Sequence, residues 1–82
     1  MHYPAIHIND MRRQMDICRI MNRRVDIWAW RSTGETIHYD GWLVKGAHWR
    51  GGVHRLMNPD NGQIRAVPDI FIFKFNKHSI YL

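Results

Sequence analysis

A single cysteine, Cys18, is all the thiol chemistry in this chain of 82 residues. One cysteine excludes an intramolecular disulfide and a Cys-rich zinc site, and it fits a reducing compartment. Long apolar runs are missing too. No stretch approaches the roughly 18 apolar residues of a membrane span, and "MHYPAIHINDMRRQMD" lacks the basic-then-apolar order of a secretory leader. The expectation is a soluble, cytoplasmic protein with no membrane contact. Acids are few as well: seven Asp and Glu stand against twelve Lys and Arg, a net charge of +5 that favours an anionic partner.

Sequence signatures of catalysis are also lacking. HExxH, CxxC, GxSxG and phosphate-loop patterns do not occur. The acids are scattered, and Glu35, Asp40 and Asp60 sit at turn positions where capping explains them. His2, His7, His38, His48, His54 and His78 show no metal-ligand spacing and read as surface or packed residues. The expectation is therefore a noncatalytic protein with no catalytic residue, no cofactor and no metal.

Aromatic residues are plentiful: four Trp, three Tyr and three Phe. A chain this short buries only about 60% of its unfolded surface, so large side chains are the economical way to fill its small core. One domain is expected over residues 1–82, with an N-terminal arm at 1–8, a helix at 9–24 and a β-barrel at 25–82. The helix reading rests on "NDMRRQMDICRIMNRR", which has no Gly or Pro, an N-cap at Asn9 or Asp10, and Arg23 and Arg24 near its end. A helical projection groups Met11, Met15, Cys18 and Met21 on an apolar side and Arg12, Asp16, Arg19 and Arg23 in a charged stripe. Ile17 and Ile20 fall outside the main apolar side, so the helix has a second flank open to contact.

From residue 25 the pattern changes to short alternating runs between turn residues. "VDIWAWR" places Val25, Ile27 and Ala29 on one face and Asp26, Trp28 and Trp30 on the other. Trp28 and Trp30 are therefore both core or both accessible, and burial under the helix is the stronger expectation for a small core. "ETIHYDG" with "WLVKG", "VHRLMN", "QIRAV", "IFIFKF" and "SIYL" supply the other strands. Asn61-Gly62 marks a hairpin turn, Pro68 breaks the chain before Phe71, Phe73 and Phe75, and "NKH" makes the last turn. The sum is mainly β: five to six antiparallel strands in a small, partly open barrel preceded by one α-helix.

In strand length, in the Asn61-Gly62 hairpin and in the Pro68 break this unit resembles an SH3-like barrel, without the acidic loop and tyrosine-rich groove of signalling SH3 domains. The run "MDICRIMNRR" leading into "VDIWAWRSTGE", with "GQIR" and "IFIFKFN", is similar to a group of short uncharacterised bacterial proteins, some of them associated with mobile elements. That resemblance spans most of the chain and implies a shared fold and a mobile-element context, with no activity attached.

The partner expected first is DNA or RNA, because basic groups can neutralise phosphates while exposed aromatic faces stack on bases. The candidate contacts are Arg12, Arg19, Arg23, Arg31, Lys45, Trp49, Arg50, Arg55 and Arg65. Trp49 is preferred among them as a loop aromatic. The alternative is a protein-interaction or self-association module, as a homodimer or with another protein, without nucleic-acid binding.

Overall fold

The computed structural model describes residues 3–48 and 52–82. Its elements are β1 (Ile6–His7), α1 (Ile8–Met21), β2 (Arg24–Trp30), β3 (Thr36–His48), β4 (Val53–Met57), β5 (Ile64–Pro68), a 3₁₀ turn (Asp69–Phe71), β6 (Ile72–Phe75) and β7 (His78–Tyr81). The expectation of a mainly β domain with an N-terminal helix holds. The strands form one seven-stranded sheet in the order β1-β7-β6-β2-β3-β4-β5. It is mixed, not purely antiparallel, because β1 runs parallel to β7. The N-terminal arm thus carries a short strand.

The helix starts and stops earlier than residues 9–24. His7 is its N-cap, with extended backbone and Nδ1 accepting the Asn9 N–H at 3.1 Å. Asn22 then turns left-handed at φ 57°, and the Arg23 N–H donates to the Cys18 carbonyl at 2.8 Å. This C-terminal motif satisfies carbonyls that would otherwise be orphaned. Arg23 lies beyond the helix and Arg24 opens β2, because an αL residue ends the helical register whatever the propensity of the residues after it.

Packing corrects the expected role of the tryptophans. α1 lays Ile8, Met11 and Met15 on the inner sheet face, against Val25, Ile27 and Ala29 of β2 with Tyr39, Val44, Leu56, Val67, Ile72 and Phe75. Trp28 and Trp30 point the opposite way, so the helix does not cover them. Alternation allows only one face of β2 to meet the helix, and the smaller aliphatic residues Val25, Ile27 and Ala29 let it approach more closely than two tryptophans would. On the outer face Trp28 is half-buried, stacked on His38 with centroids 4.1 Å apart and planes at 8°, while Trp30 is exposed and tilted on Phe73 at 5.2 Å. Met21, expected on the apolar side of the helix, is exposed beyond the edge of the core.

Bulges and turns set the curvature. β3 is one long strand because Gly41, at φ 72°, absorbs an extra residue: the register passes from Val25↔Trp42 to Asp26↔Asp40. Asn58 to Gln63 close the β4–β5 hairpin, with Gly62 at φ 74° donating to the Asn58 carbonyl. Asn76 and Lys77, both at positive φ, make the two-residue turn between β6 and β7. Pro68 leads into the 3₁₀ turn, so the expected strand "IFIFKF" loses Ile70 and Phe71 to that turn and begins at Ile72. No helix among the described residues is long and apolar enough to cross a membrane.

Candidate functional site

A groove of about 420 Å³ opens where the end of β2 meets β3, β5 and the 3₁₀ turn. Trp30 and Arg31 line one side; Arg31 begins a tight turn in which its N–H donates to the Glu35 carbonyl at 2.7 Å and the Gly34 N–H donates back to it at 2.9 Å. Gly34 takes φ 89°, which places Ser32 and Thr33 at the rim. Tyr39 comes from the inner face of β3, and Ala66, Val67, Pro68 and Phe71 form the opposite wall. A volume of this order is typical of small-molecule sites, which bury an apolar group between aromatic walls and fix it with a few polar ones.

The electrostatics of the groove are one-signed. Burial pushes the Tyr39 phenol above its ordinary pKa, and the nearby guanidinium groups of Arg31 and Arg65 oppose that rise. Both arginines therefore act on the same buried phenol although they are far apart in sequence. No Asp or Glu lines the groove. An anionic group entering here would meet Arg31 in the wall, with Trp30 and Phe71 offering partly exposed aromatic surface beside it.

The other expected contacts are dispersed. Arg12 is held by Asp69, with Nε donating to Oδ2 at 2.9 Å. Arg19 and Arg23 are exposed near the end of α1, and Lys45 and Arg55 are exposed on adjacent strands. Trp49 and Arg50 lie outside the described residues. The helical stripe of Arg12, Asp16, Arg19 and Arg23 does not form one solvent face: Arg12 turns toward Asp69, Asp16 approaches His54, and Arg23 is past the helix end.

Those contacts belong to a buried polar cluster that the sequence did not reveal. Asp69, with its side chain 2% exposed, accepts from His54 Nδ1 at 2.5 Å as well as from Arg12. His54 is itself buried on β4, and the Asp16 carboxylate stands 3.7 Å from its Nε2, beyond hydrogen-bond reach. Among the described residues Nε2 has no hydrogen-bond partner. An aspartate that orients a histidine is also the arrangement of a general base and its positioning group. Here, however, Nε2 is shielded from solvent and no hydroxyl or thiol among the described residues bonds to it. The cluster ties α1, β4 and the 3₁₀ turn together. Cys18, half-buried on the helix, has its thiol pushed up in pKa by burial against the opposing charge of Arg23, which suits a packed thiol rather than a nucleophile.

A third cluster lies on the outer face. Asp26 and Asp40 are directly paired across β2 and β3, His38 sits two residues before Asp40 on the same face, and His38 Nε2 meets the Asp26 carboxylate. One ligand atom from each of the three residues falls within 4.8 Å of the others. Asp40, expected at a turn, lies inside β3 instead, and the period-2 alternation of "ETIHYD" is the sequence sign that it shares a face with His38.

Comparison of the chain with protein-family models, curated proteins and solved structures finds no match.

Proposed function

We propose that the chain is a noncatalytic binding domain built on an SH3-like barrel, and that it binds single-stranded nucleic acid at the groove between Trp30 and Phe71. The barrel reading is supported by the meander β2-β3-β4-β5 and by the 3₁₀ turn that returns β6 to pair with β2. The binding reading rests on one observation: Trp30, Arg31 and Phe71 line a groove that no Asp or Glu among the described residues lines, and Arg65 stands close enough to its Tyr39 to oppose the rise in that phenol's pKa. A base would stack on Trp30 or Phe71 while its phosphate met the two guanidinium groups. Arg19, Arg23, Lys45 and Arg55 are further exposed cations for a longer strand. A role in bacterial mobile elements is part of the same proposal and rests on the residue runs quoted above.

Fluorescence anisotropy with labelled oligothymidine and oligouridine tests this reading. Binding at low salt should weaken as salt rises, with a slope of about −0.7 per phosphate neutralised in log–log form. Replacing Arg31 and Arg65 together by Gln should flatten that slope by about 1.4. Trp30→Ala should lose roughly 1–3 kcal/mol, or about 5- to 150-fold in affinity. No binding to either oligomer below about 50 mM salt would overturn the reading.

Self-association is a second reading, favoured by Ile17, Ile20 and Met21, which are 54%, 72% and 56% exposed near the end of α1. Light scattering after size exclusion should then show a dimer that Ile20→Glu converts to a folded monomer. A wild-type monomer at every accessible concentration would remove this reading.

A further inference from the structure

We propose that Asp26, His38 and Asp40 form a binding site for a divalent transition-metal ion of the zinc class on the outer face of β2 and β3. The first support is charge. Asp26 and Asp40 occupy directly opposed positions on neighbouring strands, an arrangement in which like charges destabilise a sheet. The chain is basic overall, at +5, yet among the described residues neither carboxylate has a Lys or Arg within ion-pair distance. Their shared neighbour is His38, whose Nε2 lies against Asp26. A cation at this point would relieve the repulsion and would be held by all three groups.

The donor set narrows the class of ion. One imidazole nitrogen and two carboxylate oxygens within 4.8 Å of one another suit an ion that takes mixed nitrogen and oxygen ligands at roughly 2.0–2.2 Å, as Zn²⁺ does. Calcium and magnesium prefer oxygen ligands alone, and soft cuprous ion prefers sulfur. Three protein ligands leave a fourth tetrahedral position to water.

Support around the ligands is the third consideration, because an exposed cluster binds well only if its members are held in place. The His38 ring lies flat on Trp28, 4.1 Å between centroids. The Asp26 backbone is clamped on both sides by Asn76: its N–H donates to Asn76 Oδ1 at 2.9 Å, and its carbonyl accepts from the Asn76 N–H at 2.7 Å. Asp40 is set opposite Asp26 by the bulge at Gly41.

The stack of Trp28 on His38 supplies a readout that does not depend on any activity. Protein stripped with EDTA and dialysed is titrated with Zn²⁺ by calorimetry and with Ni²⁺ by tryptophan fluorescence. One Zn²⁺ should bind per chain, and Ni²⁺ should saturably quench a part of the emission that is missing in Trp28→Phe. His38→Ala and Asp40→Asn, each checked for native circular dichroism, should weaken Zn²⁺ binding by at least about 10-fold. Ca²⁺ and Mg²⁺ should not compete. No saturable Zn²⁺ binding by the wild-type protein, unchanged affinity in both variants, or equal competition by Ca²⁺ would each overturn the proposal.

Discussion

Asp69→Ala is expected to destabilise the domain by roughly 3–5 kcal/mol, the scale on which removing one partner leaves a buried charged or polar group uncompensated. The Asp69 carboxylate is the sole hydrogen-bond partner of His54 Nδ1 among the described residues, and it also receives Arg12 Nε. Without it the buried imidazole has neither nitrogen satisfied, since Nε2 is already without a partner. The Arg12 side chain is 38% exposed and can turn to water, so His54 carries most of the penalty. A domain of this size has a total stability on the order of 4–12 kcal/mol, so the substitution removes a large share of it. Urea unfolding followed by tryptophan fluorescence should show the midpoint falling by about 1–3 M at an unchanged slope. Arg12→Ala should cost less, about 1–3 kcal/mol, because it takes one donor from the buried Asp69 carboxylate while His54 Nδ1 stays in place. An Asp69→Ala midpoint within error of the wild type would mean that the cluster contributes nothing to folding.

The same cluster shows where sequence reading stops. Arg12, His54 and Asp69 come from a helix, a central strand and a 3₁₀ turn, and no spacing rule links residues that far apart. Each has an ordinary local explanation: a stripe arginine, a surface histidine, an acid after a proline. Local signals were legible where backbone geometry alone decides the outcome. The turn at Asn61-Gly62, the turn at "NKH" and the alternation along "VDIWAWR" all appear in the structure, because positive φ and the two-residue period of a strand are properties of a few adjacent residues.

What alternation could not supply was the choice of face. It grouped Trp28 with Trp30 correctly, but which face meets the helix depends on how closely Ile8, Met11 and Met15 can approach, and that is a matter of packing. The groove was half visible. Arg31 could be named as a basic residue, while its place in one groove with Tyr39, Val67 and Phe71 depends on how β2, β3, β5 and the 3₁₀ turn meet, which no local pattern encodes.

The three phenylalanines of the C-terminal run make that difference between pattern and packing measurable. Phe71, Phe73 and Phe75 are two residues apart, and uninterrupted alternation would put them on one face. The 3₁₀ turn and the register shift between Trp28 and Ala29 break the sequence into three environments. Phe75 is fully buried opposite Ile27, Phe73 is partly buried against Trp30 on the outer face, and Phe71 borders the groove. Phe75→Ala should therefore cost about 3–5 kcal/mol, the range for deleting a core aromatic ring, and lower the urea midpoint about as far as Asp69→Ala. Phe73→Ala should cost only about 0.5–1.5 kcal/mol, the scale of one aromatic pair. Phe71→Ala should leave the urea midpoint close to that of the wild type while weakening oligonucleotide binding. Equal destabilisation by all three would show that the run packs as one continuous strand, and would remove Phe71 from the groove.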